Sequence, residues 1–222
     1  MTTVGFIGSG NIGGTVARLS VAAGYDVIVS NSRGPDTLKE LVAELGPNAR
    51  AGTGEQAAAE GDLVVVSIPL HAYPTIPVAP LAGKTVIDTC NYYPQRDGQL
   101  AQLDDKSLTS SELIQQHLVG AHVVKVFNNI YSEHLRSLAR ARGAADRSYL
   151  PIAGDDAGAK DELIAFLDAI GYGSVDTGPL AESWRQEPGT AVYGPPYGPF
   201  SNPAGTPASE ATIRTALAQA TR

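Results

Sequence analysis

Gly8-Ser9-Gly10-Asn11-Ile12-Gly13 constrains this chain more than any other feature. The apolar run Thr3 to Ile7 precedes it, and Ile12 to Ala23 follows with small and apolar residues at helical spacing. The order is strand, turn, helix. In that context each glycine has a separate reason to be there. Gly8 permits the tight turn, Gly10 lets the backbone approach a pyrophosphate, and Gly13 lets the helix lie close on the strand. The helix start then presents free N–H groups and the positive end of its dipole to phosphates.

The tip of the second strand, Asp26 to Ser30, selects the nucleotide. An NAD site places an Asp or Glu about 20 residues beyond the glycines, on the ribose hydroxyls, whereas an NADP site accepts a phosphate there and supplies an Arg. The sequence reads Ser30-Asn31-Ser32-Arg33-Gly34, with no carboxylate. Arg33 is suited to stack on adenine or pair with a 2′-phosphate, with Asn31 and Ser32 as hydrogen-bond donors. NADP(H) is the expected cofactor. The plainer alternative is a solvated Arg in a turn, since Asn, Ser, Gly and Pro suit turns anyway.

Beyond that unit, strands and helices alternate. Helices are expected over Asp36 to Leu45, Glu55 to Glu60, Ser110 to His117, Ser132 to Ala141 and Asp156 to Ile170. Strands are expected over Ala49 to Ala51, Asp62 to Ile68, Lys84 to Asp88, His122 to Val126, Tyr149 to Ala153 and Ser174 to Thr177. The expected fold is α/β: a Rossmann-like, doubly wound, mainly parallel sheet of about eight strands, covered on both faces. Residues 1–180 form the expected NADP-binding domain with its sheet extension. Residues 181–222 form a C-terminal arm and helix. Glu187 to Pro207 is dense in proline and glycine, holds Tyr193, Tyr197 and Phe200, and reads as a loop or arm rather than a core element: a cover for the acceptor pocket, a reach across a dimer, or a loosely packed tail; Ser209 to Ala220 is a closing helix.

In open parallel sheets ligands sit at the carboxyl ends of the strands. Three tips are placed to surround a nicotinamide ring: Ser67-Ile68-Pro69 with Leu70 and His71, Asp88 to Tyr92 including Cys90, and Asn128-Asn129-Ile130. His71 reads equally as a proton donor or ring contact and as a surface histidine. Cys90 reads more readily as a buried filler than as a nucleophile, because no His and Asp or Asn stand at catalytic spacing. Asp155-Asp156 reads as a helix N-cap. No catalytic residue is assigned, and no His/Cys cluster has metal-ligand spacing, so no metal is expected.

Composition narrows the partners. A formal charge of −7 works against nucleic acid or an anionic membrane as the main partner. Hydrophobic residues at 43% and charged residues at 18% suit a folded globular chain. The single cysteine has no internal disulfide partner, and no apolar run reaches the ~18 residues of a membrane span. A cytoplasmic location and a small-molecule redox substrate are expected.

Up to Leu180 the chain resembles the coenzyme F420-dependent NADP oxidoreductases, and it shares a fold with the reductase domain of the STEAP metalloreductases. The residues that carry the resemblance are Gly8 to Gly13, Asn31-Ser32-Arg33, Ile68-Pro69, Val124 to Ile130 and Asp176 to Leu180. It implies NADP held by Ser9, Gly10, Asn11, Ile12, Ser32 and Arg33. It also implies hydride transfer between nicotinamide C4 and the C5 of a deazaflavin co-substrate, coenzyme F420, in a homodimer. The archaeal-type members carry His where this chain has Asn128, and Lys where it has Thr37. A flavin or quinone is the next acceptor in line after the deazaflavin, and two other readings share the glycine turn. One is a β-hydroxyacid or imine reductase, for which Lys125 is the inviting residue, although it falls within an expected strand. The other is a non-catalytic NADP(H) sensor.

Overall fold

Alternation along the strands decides the layers of the computed structural model, which describes residues 1–222. In β4 (Leu63–Val66), Leu63 and Val65 enter one core with Phe6, Val29, Ile87 and Val124. Val64 and Val66 enter the opposite core with Ile28, Val86 and Val123. A strand apolar at every position must be covered on both sides. Each of these valines contributes roughly 1.5–3 kcal/mol by leaving water.

The other strands are β1 (Thr3–Ile7), β2 (Asp26–Ser30), β3 (Ala49–Ala51), β5 (Thr85–Asp88), β6 (His122–Lys125), β7 (Tyr149–Gly154) and β8 (Gly173–Asp176). The sheet order is β3-β2-β1-β4-β5-β6-β7-β8. Neighbours are parallel except β6 and β7, which pair antiparallel through Val124 opposite Gly154 and Lys125 opposite Ala153. The first six follow the doubly wound dinucleotide-binding order, and the last two extend the same sheet as expected.

Helices α1 (Asn11–Ala22), α2 (Lys39–Leu45) and α3 (Gly54–Glu60) connect the first four strands. α3 starts at a capping box, in which Thr53 accepts from the Gln56 N–H and Gln56 accepts from the Thr53 N–H. It lies so close on β1 that a Cβ at Gly5 would stand 2.0 Å from the Ala57 carbonyl oxygen. The expected helix from Asp36 begins instead as a 3-10 turn, Pro35–Leu38, and turns α-helical at Lys39. α4 (Pro94–Asp97) and α5 (Ala101–Asp104) carry no periodic signal, because four residues make about one turn. α6 (Ser110–His117) precedes β6. α7 (Ser132–Ser137) is shorter than expected and ends four residues before Ala141. α8 (Ala157–Ala169) is capped by Asp156, which accepts from the Ala159 N–H at 2.8 Å.

The C-terminal segment corrects the sequence reading. Glu187 to Pro207 is irregular, as its prolines and glycines require, yet Val192 and Tyr197 are fully buried in the main core, with Ala208 just beyond. Positive-φ glycines at 189, 194, 198 and 205 fold the segment back on itself. Its polar groups are tied inward: the Gly194 N–H donates to the Asn129 carbonyl, and the Tyr197 hydroxyl donates to the Tyr149 carbonyl at 2.9 Å. Proline and glycine density reports the absence of regular structure, not the absence of burial. α9 (Glu210–Ala218) closes the fold by turning Ile213, Ala216 and Leu217 onto that core.

Candidate active site

The site lies where the strand order reverses, between β1 and β4. Gly8 has φ +100°, and a Cβ there would stand 2.1 Å from the Ser67 carbonyl oxygen; one at Gly13 would stand 2.2 Å from the Gly8 carbonyl oxygen. Both glycines are required by the packing of the protein itself. Gly10 is different, since a Cβ there would meet nothing within 4 Å. The room above Gly10 belongs to no part of this chain, which suits the close approach of a pyrophosphate. α1 begins at Gly10 with no side-chain cap and no acidic residue in its first turn, so its N–H groups face that room.

Two clefts meet there, sharing Gly10, Asn11 and Ser132. The first, of about 480 Å³, is walled by Gly10 to Ile12, Ser67 to Pro69, Cys90 and Asn128, bringing together the three strand tips singled out from sequence. The second, of about 510 Å³, runs past Ser9, Arg33 and Thr37 toward α2 and α7. Gly8 and Gly13 lie beneath both as scaffold.

The turn after β2 is built by its own side chains. Asn31 donates from Nδ2 to Thr37 Oγ1 at 2.9 Å and accepts from the Arg33 N–H at 2.9 Å, while Thr37 donates to the Gly34 carbonyl. Asn31 therefore shapes the turn, leaving Ser32 and Arg33 exposed. Across the same cleft, Arg18 is fixed to Glu44 by two bonds of 2.6 Å.

The far end of the first cleft is held by a network of amides. Phe127, fully buried, has φ +63°, a strained value for a residue with a Cβ, and it turns Asn128 and Asn129 into the cleft. Asn128 donates to Asn91 Oδ1 and the Gln186 carbonyl and accepts from Gln186 Nε2, so its side chain is a joint between the tip and the C-terminal segment. Cys90 is buried, and that burial, with the Asp88 charge, pushes its thiol well above the ordinary range. It lines the wall as a neutral group.

Lys125 is fully buried. Its ammonium lies 3.2 Å from Asp88, 2.6 Å from the Cys90 carbonyl and 2.9 Å from Ser110 Oγ. It anchors the β5 tip from below and does not reach the cleft. His71 is likewise outside the cleft wall, its Nδ1 3.0 Å from Asp97. Burial opposes ionisation of Asp97, yet bonds from Arg96, the Tyr93 N–H and His71 outweigh it and hold the carboxyl well below its usual range. No group of three or more His, Cys, Asp or Glu is placed to hold a metal ion.

Of the aromatic wall, sequence reasoning singled out Tyr193 and Phe200 and passed over Tyr93 and Tyr131. Tyr93 and Arg96 follow the β5 tip, Tyr131 follows the β6 tip, and Tyr193 and Phe200 come from the C-terminal segment. Tyr131 and Phe200 meet edge to face with centroids 5.1 Å apart, and Phe200 is 70% exposed. Tyr93 and Tyr193 were recoverable only in part, since the pair joins residues 100 apart in sequence.

Residues 3–92 match the family described as NADP oxidoreductase, coenzyme F420-dependent. The chain is similar to Metalloreductase STEAP3 of Rattus norvegicus, 28% identical over 186 residues, which cover 83% of this chain and 35% of that protein. It thus spans about a third of the length of that relative. Among solved structures it is similar to the hypothetical protein SMa0349 of Sinorhizobium meliloti, at TM-score 0.72 and 28% identity over 85% of this chain and 91% of that one. An Arthrobacter sp. FB24 protein, named as a proposed F420-dependent NADP-reductase, superposes at TM-score 0.68 with 23% identity, over 82% of this chain and 87% of that one. An imine reductase of Myxococcus stipitatus superposes at TM-score 0.55 with 17% identity, over 81% of this chain and 55% of that one; this shows the shared fold.

Proposed function

We propose, from the match of residues 3–92 to the family described as NADP oxidoreductase, coenzyme F420-dependent, that this chain is an NADP-dependent oxidoreductase passing hydride between NADP(H) and a planar redox ring, with coenzyme F420 as the acceptor. The observation that carries the reading is the open room above Gly10, continuous on one side with Arg33 and on the other with an aromatic-walled cleft.

In this reading Gly10, Asn11 and Ile12 hold the pyrophosphate on the first turn of α1, with Ser9 beside them. Arg33 and Ser32 take the 2′-phosphate, a charge-assisted contact that an NAD-type carboxylate would repel. Ser67, Ile68, Pro69, Cys90 and Asn128 wall the nicotinamide end. When bound, NADPH supplies the hydride. Tyr131 and Phe200 offer ring faces and edges against which a planar acceptor stacks. Holding both rings in contact is what such a transfer asks of a protein.

The imine or hydroxyacid reductase reading loses its residue, because the Lys125 ammonium is committed to Asp88, Cys90 and Ser110 beneath the cleft. The test is to measure NADPH and NADH binding by nicotinamide fluorescence and then offer coenzyme F420, FMN, FAD and a simple quinone separately. Tight NADPH binding with saturable bleaching of the deazaflavin supports the proposal. Tight binding with no acceptor turned over contradicts it and favours a sensor.

A further inference from the structure

Hydrogen bonding at the cleft mouth leaves one phenolic proton without a protein acceptor. Asn91 is oriented by the Asn128 carbonyl, which can only accept; the Asn91 atom 2.8 Å from it is therefore the amide nitrogen, Nδ2. The same nitrogen donates its second hydrogen to the Tyr193 hydroxyl at 3.2 Å. The Tyr193 and Tyr93 hydroxyls share one hydrogen bond in which either oxygen can donate, so one of the two phenolic protons has no protein acceptor. With Tyr193 donating, that unpaired proton is the one on Tyr93. The Arg96 guanidinium lies over the Tyr93 ring, 4.9 Å from its centroid, and is itself fixed by Asp97 and the Asn91 carbonyl. Both tyrosines line the cleft that holds the acceptor in the reading above.

We propose that Tyr93 is the catalytic proton donor of this enzyme, with Tyr193 and Asn91 positioning its hydroxyl and Arg96 steadying the charge left behind. The proposal rests on the NADPH-dependent reduction described above. As the acceptor ring gains the hydride that NADPH supplies, Tyr93 breaks its O–H bond and gives the proton to a ring nitrogen or oxygen of the acceptor. The Tyr93 phenolate keeps the bonding pair, is held by the Tyr193 O–H and the Arg96 cation, and then takes a proton from water at the cleft mouth. Two electrons and one proton leave NADPH as hydride, and one further proton is drawn from solvent. Burial, reinforced by the bond to Tyr93, pushes the Tyr193 phenol well above its ordinary range, so Tyr193 keeps its proton.

The test compares wild type, Tyr93→Phe, Tyr193→Phe and the control Tyr92→Phe. Tyr92 bonds Gly98 and Asp104 and lies outside the cleft wall. Each is measured for NADPH affinity by fluorescence, for thermal melting, and for turnover of coenzyme F420 and a simple quinone in water and deuterium oxide. The expected result is unchanged NADPH affinity in all four, a kcat lowered on the order of 100-fold or more in Tyr93→Phe, a smaller loss in Tyr193→Phe, and wild-type turnover in Tyr92→Phe. A solvent isotope effect present in wild type should be altered in Tyr93→Phe. Full turnover by Tyr93→Phe, or a loss that only follows its melting temperature, overturns the proton-donor assignment alone. A wild type that binds NADPH and reduces neither acceptor overturns the reductase reading and this assignment together.

Discussion

The ammonium of Lys125 lies 3.2 Å from the carboxylate of Asp88, with both side chains wholly out of water. Asp88 also accepts from the Cys90 N–H and the Ser111 hydroxyl, and Lys125 holds the Cys90 carbonyl. The pair therefore fixes the β5 tip, from which Asn91 and Tyr93 project into the cleft. Removing one partner leaves a buried charge unpaired, which costs about 3–5 kcal/mol. Lys125→Met and Asp88→Asn should each lower unfolding stability by that order in a urea titration, the second because an amide nitrogen cannot accept from Lys125 or Ser111. Lys125→Met with wild-type stability would remove the anchoring role.

The glycine turn separates a folding requirement from a binding one. Gly13→Ala drives a methyl group into the Gly8 carbonyl oxygen and should destabilise the fold by several kcal/mol, as strain in tight packing does. Gly10→Ala meets no protein atom, so the fold should melt near the wild-type temperature while NADPH affinity falls at least about tenfold, equivalent to ~1.4 kcal/mol. Equal losses of stability in both variants would show that Gly10 also serves the fold.

Arg33 has an exposed guanidinium on a turn that Asn31 and Thr37 hold in shape. Arg33→Ala should weaken NADPH binding by about 1.5–3 kcal/mol, the scale of a charge-assisted hydrogen bond, and leave NADH binding nearly unchanged. Parallel loss for both nucleotides would move Arg33 from the phosphate to the adenine.

Acid should loosen the turn that carries Arg96. Asp97 is ionised in the folded protein down to a pH well below its unfolded value of about 3.9. A carboxylate with a depressed folded pKa contributes stability above its unfolded value and loses it as pH falls toward the folded one. Stability measured by chemical denaturation should therefore drop below about pH 4, and Asp97→Asn should be less stable at neutral pH with a shallower acid limb. An unchanged acid limb would assign the pH dependence to other carboxylates.

The half of the candidate site proposed for the phosphates was legible in the sequence because its residues are local. Gly8, Gly10, Gly13 and Arg33 stand within 26 residues, and the βαβ pattern around them fixes how they meet. The acceptor half was legible only as strand tips. Nothing in the spacing of Tyr93 and Tyr193 reveals that they touch, and the proline and glycine content that marks 187–207 as irregular conceals the burial of Val192 and Tyr197. Lys125 misled in the other direction. Its residue type suggested chemistry, and its partners give it a structural role.

The central claim is direct transfer of hydride from NADPH to a ring held in the aromatic-walled cleft. The most direct measurement is a single-turnover reaction with NADPH deuterated at nicotinamide C4 and coenzyme F420 as acceptor, with the reduced deazaflavin analysed for label. Deuterium at its C5 is the predicted result. Failure of the deazaflavin to bleach, or bleaching without label from either C4 position, would contradict the account.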